Sequence, residues 1–132
     1  MAESVPVHEG LFTTDDEGSA RLLAGRCRSC DRYLFPRAAL CPYCGGEQVE
    51  EVLLSPDGTL WAWSAVTAPP PGYRGPVPYG FGVVELPEGV RVVTRLVEAD
   101  PSNLRFGQQV RMELVPLHAD DEGRAVLTWA FR

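Results

Sequence analysis

The residues best equipped for chemistry are four cysteines within eighteen positions, Cys27-Arg-Ser-Cys30 and Cys41-Pro-Tyr-Cys44, with ten residues between the pairs. Each C-x-x-C pair closes a tight knuckle that aims two sulfurs at one point, and two facing knuckles complete a tetrahedral S₄ cage. Zinc suits that cage because it is borderline-soft, has no redox chemistry and makes no geometric demand from its d-electrons. Protein fills all four positions, so no place is left for water or substrate. The expected cofactor is a structural zinc ion on Cys27, Cys30, Cys41 and Cys44. Iron would fit the same four thiolates, as in a rubredoxin-like site.

Two other uses of these thiols compete with metal binding. Taken alone, Cys41-Pro42-Tyr43-Cys44 looks like the dithiol of a glutaredoxin. That chemistry needs a partly exposed, low-pKa thiol at a helix N-terminus, and Gly45-Gly46 is a poor helix start. Disulfides need an oxidising compartment, whereas Met1 to Gly10 is polar, holds Pro6 and His8, and is unlike a secretory signal. No run of about 18 apolar residues is available to cross a membrane. The expectation is a cytoplasmic protein with its cysteines on metal.

With every thiol assigned, little remains for catalysis. His8 sits in a polar arm and His118 in an acidic loop, neither in a recognisable nucleophile–base arrangement. No catalytic centre is expected in this chain. Its 132 residues, 45% hydrophobic, suffice for one globular domain or a small domain with an appended module. The formal net charge is -6 and all 12 basic residues are arginine. Zinc on four thiolates would take the charge to about -8. Such a balance disfavours a general nucleic-acid binder, which neutralises phosphates with Lys and Arg.

The elements that must position these residues follow from the apolar pattern. Residues 1–24 read as an arm with little regular structure, carrying Glu3, Glu9, Asp15, Asp16 and Glu17, with Leu11-Phe12 as its anchor. Ser19 to Ala24 reads as one helical turn or a strand leading into the metal module at 25–48. From 49 to 132 the apolar period is two, the strand signal. Ser55-Pro-Asp-Gly58 is a turn in which Gly58 can take positive φ. Trp61, Trp63 and Ala65 share one face of the next strand, and the tryptophans are read as barrel core in preference to an adenine-stacking pair. Gly80 and Gly82 fall on one face of Tyr79–Leu86, as at a barrel bend or a close approach. In Val90–Val97, Arg91 and Arg95 point away from Val92, Thr94 and Leu96. Asp100-Pro101 caps a helical turn, His118 to Gly123 is an acidic loop, and Ala125 to Phe131 is the last strand. These signals predict a mainly β protein, an N-terminal rubredoxin-like zinc ribbon followed by an OB-fold β-barrel. A small sandwich or a rubredoxin-type sheet is the competing architecture.

At this point the residues match a known family. Gly10-Leu-Phe-Thr, Gly25-Arg-Cys27, Phe35-Pro-Arg37, Gly58-Thr-Leu-Trp61, Pro78-Tyr79, Val84-Glu-Leu86, Asp100-Pro101 and Ala130-Phe131-Arg132, together with the cysteine pairs, closely resemble the zinc-ribbon and OB-fold proteins that accompany thiolases. The resemblance runs from about residue 10 to the end. One departure is Asp31, where the family usually has Gly after the first knuckle; Asp is among the few residues that tolerate a left-handed backbone. The resemblance implies a non-catalytic accessory subunit. It would bind acyl-CoA thioesters or dock onto a thiolase-like or sterol-carrier-type thiolase or aldolase. Such partners serve steroid side-chain degradation, anaerobic aromatic degradation and archaeal acetyl-CoA condensation.

Two groups of residues are candidates for that binding. Arg21, Arg26, Arg28, Arg32 and Arg37 gather around Asp31 in the ribbon, either offsetting the ZnS₄ charge or holding a phosphate of coenzyme A or a partner's carboxylate. Arg37 and Arg28 lead that set. The loop Ala68 to Pro78 holds five of the 12 prolines. Tyr73, Arg74 and Tyr79 there are of the types enriched at interface hot spots, though a stiff connection without a partner is the plain alternative. Two other classes stay open: a nucleic-acid-binding zinc-ribbon and OB module, with only Arg91 and Arg95 to offer on the barrel, and a rubredoxin-like electron carrier.

Overall fold

The structure, a computed structural model, describes residues 4–8, 10–14 and 19–132. Its elements are β1 (Ser4–Pro6), β2 (Phe12–Thr14), β3 (Ala20–Cys27), β4 (Tyr33–Leu34), β5 (Val49–Leu53), β6 (Asp57–Val66), β7 (Tyr79–Glu85), β8 (Arg91–Leu96), a 3-10 turn (Pro101–Asn103), β9 (Gln109–Ala119) and β10 (Ala125–Phe131). The arm expected to lack regular structure therefore contributes β1, β2 and the start of β3. Its acidic residues Glu3, Glu9 and Asp15 to Glu17 lie outside the described residues. Of the stretch Ser19–Ala24, the residues from Ala20 onward are strand.

Five strands close a barrel. β6–β7 and β7–β8 pair antiparallel, β8 and β10 run parallel, and β10–β9 and β9–β6 complete the ring. That circuit, with its single parallel joint between the third and fifth barrel strands, is the Greek-key OB barrel the sequence predicts. β1 lies parallel on the first half of β10. β3 carries the second sheet, pairing with β2, β4 and β5.

Leu60, Val84, Val92, Leu96, Val110, Met112 and Phe131 fill the barrel from its inward positions. Leu22, Ala24 and Leu54, all 0% exposed, join the same cluster from the ribbon side. Ribbon and barrel thus share one core.

Alternation fails at one place. The β6–β7 register slips between Leu60 and Ala62, so Trp61 is the extra residue of a β-bulge. The bulge shifts the inward parity from Gly58 and Leu60 to Trp63. Trp61 turns outward, 43% exposed, beneath the Arg91 guanidinium at 4.3 Å. Trp63 packs on the core and its Nε1 donates to the Pro101 carbonyl at 3.2 Å. The two tryptophans expected on one face are therefore separated.

Gly58 also differs from expectation. It lies inside β6, and what it supplies is closeness: a Cβ there would meet Val84 Cγ1 at 2.5 Å and Leu86 Cδ2 at 2.8 Å. Gly80 and Gly82 are both buried, and a Cβ on either would run into a backbone carbonyl, of Glu98 and Ala62 respectively. The capped turn forms as predicted, with Asp100 accepting from Ser102 N at 3.0 Å and Ser102 Oγ at 2.7 Å. His118 lies in β9, and the acidic loop shrinks to a hairpin turn. Asp120 organises it, accepting from the backbone N–H groups of Glu122 and Arg124.

Candidate functional site

The two C-x-x-C pairs fold into matching knuckles. Cys27 N donates to Arg32 O and Asp31 N to Cys27 O, while Cys41 N donates to Gly46 O and Gly45 N to Cys41 O, all at 2.8–2.9 Å. The fifth residue of each knuckle has positive φ, 63° at Asp31 and 75° at Gly45. Asp31 occupies the left-handed position that its equivalent fills with glycine. It also accepts from Arg26 Nη2 at 2.8 Å.

The four Sγ atoms lie within 4.8 Å of one another, with Cys27–Cys44 at 3.6 Å and Cys30–Cys41 at 3.7 Å. A tetrahedron with metal–sulfur bonds of about 2.3 Å has edges of about 3.8 Å, so the donor set fits an S₄-coordinated ion. Tyr43 N donates to Cys41 Sγ at 3.4 Å, an N–H positioned to stabilise a thiolate.

Proton affinities agree with that geometry. The Cys30 backbone N–H, above all, lowers the Cys27 pKa to about 6 against the effect of burial, with help from Ser29 N–H and the neighbouring sulfurs. Cys44 is pushed up to about 12: the Gly46 N–H lowers it, but Cys27, burial and the other two sulfurs together outweigh that hydrogen bond. Four thiols this close cannot all ionise alone, and a divalent cation removes the conflict.

Around the knuckles the arginines are matched by carboxylates of β5. Arg37 Nη1 meets Glu51 Oε2 at 2.6 Å, Arg26 Nη1 meets Glu50 Oε1 at 3.4 Å, and Arg28 Nε meets Glu50 Oε2 at 3.7 Å. Arg32 lies over the Tyr43 ring at 5.0 Å. Arg37 and Arg28 thus already hold anions. Glu50 and Glu51, which sequence reasoning passed over, become visible only through the β3–β5 register that sets them beside Arg26 and Gly25.

The proline-loop candidates form a separate group on the barrel. Tyr73 folds back from the loop, its Oη donating to the Pro76 carbonyl at 2.7 Å, and its ring lies 5.0 Å from that of Tyr79. Arg74 reaches across to Asp121 at 3.7 Å, tying this loop to the β9–β10 turn. Arg95 completes the cluster, placed over Tyr79 at 4.6 Å and donating to Tyr73 Oη at 3.1 Å. Strand alternation points Arg95 outward but does not by itself place it beside the two tyrosines. His8 and His118 stand apart from the cysteine cluster, which contains no histidine.

Comparison with known proteins covers most of the chain. The profile of the ChsH2 rubredoxin-like zinc ribbon domain matches residues 17–50, and that of the ChsH2 C-terminal OB-fold domain matches residues 51–115. A DUF35 domain-containing scaffold protein of Pyrococcus furiosus is 33% identical over 107 residues, 81% of this chain and 78% of that protein. The benzoylsuccinyl-CoA thiolase subunit BbsA of Thauera aromatica is 32% identical over 126 residues, 95% of this chain and 85% of that protein. Among solved structures, a chain of the Ltp2-ChsH2(DUF35) aldolase superposes with a TM-score of 0.66 at 30% identity, covering 85% of this chain and 84% of that one.

Proposed function

The chain belongs to the ChsH2 family of zinc-ribbon and OB-fold proteins, and from that premise we propose that it is a non-catalytic accessory subunit of a thiolase- or aldolase-type enzyme acting on acyl-CoA thioesters. The observation that carries the reading is length-for-length similarity: a relative named as a thiolase subunit aligns over 95% of this chain and 85% of its own. Cys27, Cys30, Cys41 and Cys44 hold a structural zinc ion, whose role when bound is to fix the two knuckles against each other. The partner supplies the groups that make or break the carbon–carbon bond.

In this reading the chain's own residues bind and orient. The ribbon's ion pairs hold its surface in one arrangement, and the shared core fixes that surface relative to the barrel. Arg28, Arg37, Tyr73, Arg74 and Tyr79 are proposed to meet the partner or the acyl-CoA at its mouth. The ribbon arginines would do so by exchanging Glu50 or Glu51 for an incoming anion, an exchange that exposed pairs permit at small cost.

The test is co-expression with thiolase- and aldolase-type proteins of the same organism. A stable complex containing both chains and one zinc ion per copy of this chain is expected. Failure to co-purify, together with no thermal shift of this chain by acyl-CoA thioesters, would sink the reading. A red, iron-loaded protein would replace zinc by iron.

A further inference from the structure

The outward face of β7 and β8 combines features that a barrel facing only water does not need. Val93 is 69% exposed and Phe81 38%. In the antiparallel register Phe81 faces Arg95, and Val93 faces Val83. Scattered exposed apolar residues are ordinary, whereas neighbouring ones that line a groove mark contact sites. Tyr79, Phe81, Val93, Arg95, Thr128 and Trp129 line such a groove here, with a volume of about 350 Å³.

Arg95 is the charged group in that groove, and it is unmatched. Arg74, Arg91, Arg111, Arg124 and Arg132 of the barrel each meet a carboxylate. Arg95 meets none among the described residues, as is also true of Arg105, in a chain of formal net charge -6. Its described contacts are the Tyr79 face at 4.6 Å, the Tyr73 face at 6.0 Å and one hydrogen bond to Tyr73 Oη at 3.1 Å. A guanidinium has five N–H donors in a rigid fork, so most remain available while stacking holds the plane still. Trp129 lines the same groove, and its Nε1 is buried without an acceptor among the described residues. Arg95 thus brings spare N–H donors to an apolar groove.

We propose that this groove seats a segment of the partner subunit, placing an Asp or Glu carboxylate on Arg95 and apolar side chains against Phe81 and Val93. The proposal rests on the reading of this chain as an accessory subunit. A carboxylate is the match because the guanidinium fork binds it bidentately and the stacked ring plane presets the angle. Nucleic acid fits less well, since Glu85 already neutralises Arg91 at 2.9 Å and the chain's negative charge repels phosphates. The groove is preformed: Tyr73 pins the proline loop at its end through the Pro76 carbonyl and Arg95. Little ordering is therefore needed on docking.

The experiment uses the full chain and the thiolase- or aldolase-type subunit of the same organism that co-purifies with it. Calorimetric titration compares wild type with Arg95→Gln, Arg95→Glu and Val93→Glu, and with Arg105→Gln as the control. Metal content and melting temperature verify that each variant folds; Val93→Glu, at an exposed position, covers the case in which Arg95 variants do not. Affinity should fall roughly tenfold or more for Arg95→Gln and further for the glutamates, with the control unchanged. In ¹⁵N-labelled protein the Trp129 indole resonance should shift or broaden when the subunit is added. Wild-type binding matched by Arg95→Gln and Val93→Glu would overturn this site and leave the accessory reading standing. Absence of wild-type binding would overturn both. Competition by a single-stranded oligonucleotide that moves the same indole resonance would assign the groove to nucleic acid instead.

Discussion

Leu22 probes whether ribbon and barrel are one folded body. It lies in β3, 0% exposed, in the cluster that includes Leu54 of the ribbon side and Leu60 and Met112 of the barrel. Leu22→Ala removes three carbons from that site, worth about 2.4 kcal/mol at about 0.8 per methylene. The cavity left between two sheets that cannot both collapse inward raises the cost to about 3–4 kcal/mol. A domain of this size has about 5–15 kcal/mol in all, so the loss is a large share. Urea unfolding should be followed twice, by tryptophan emission for the barrel and by metal release to a chromogenic chelator for the ribbon. Both midpoints should fall together, by the same free energy. A shift of metal release alone, with the tryptophan transition unmoved, would refute the shared core. So would a loss below about 1 kcal/mol on either probe.

Four further outcomes follow from particular residues. Cys41→Ser should lose the metal and unfold the ribbon, because binding free energy at such sites is largely folding free energy; elemental analysis and tryptic cleavage within 25–48 read it out. Gly82→Ala should destabilise the barrel by about 1–3 kcal/mol in denaturant titrations, since the new methyl would meet the Ala62 carbonyl and lie 3.1 Å from Leu96 Cδ1. Gly45→Ala meets nothing within 4 Å, and its cost, about 1 kcal/mol, comes from φ of +75° instead. Asp120 has its pKa lowered from 3.8, first by the Arg124 backbone N–H and also by the Arg124 and Glu122 contacts. A depressed carboxylate stabilises the fold above its ordinary pKa and loses that contribution as the pH falls through the lowered one. Melting curves should accordingly show Asp120→Ala less stable than wild type at neutral pH, with the gap closing at acid pH.

The cysteine spacing and the period-two strands were readable because each is a local pattern. Four thiols at these intervals allow few arrangements, and inward positions such as Val92, Thr94 and Leu96 alternate without interruption. Trp61 was not readable, because one extra residue in β6 moves it to solvent and the sequence carries no mark of the bulge. Arg37 looked available in the sequence because its partner, Glu51, lies 14 residues away in β5 and meets it only once the ribbon has folded. β1 and β2 were missed for a related reason. Three-residue strands have too little pattern to register, and what holds them is tertiary: β10 beside β1, and Trp129 against Phe12 at 6.1 Å between ring centroids.

On the function proposed above, this chain completes an enzyme whose catalytic groups lie elsewhere. Acyl-CoA cleavage or condensation by the thiolase-like subunit, titrated with increasing amounts of this chain, tests it most directly. This chain alone should show no turnover, and partner activity should rise and then saturate at a fixed stoichiometry. Full activity of the partner without it, or turnover by this chain without a partner, would rule out an accessory role.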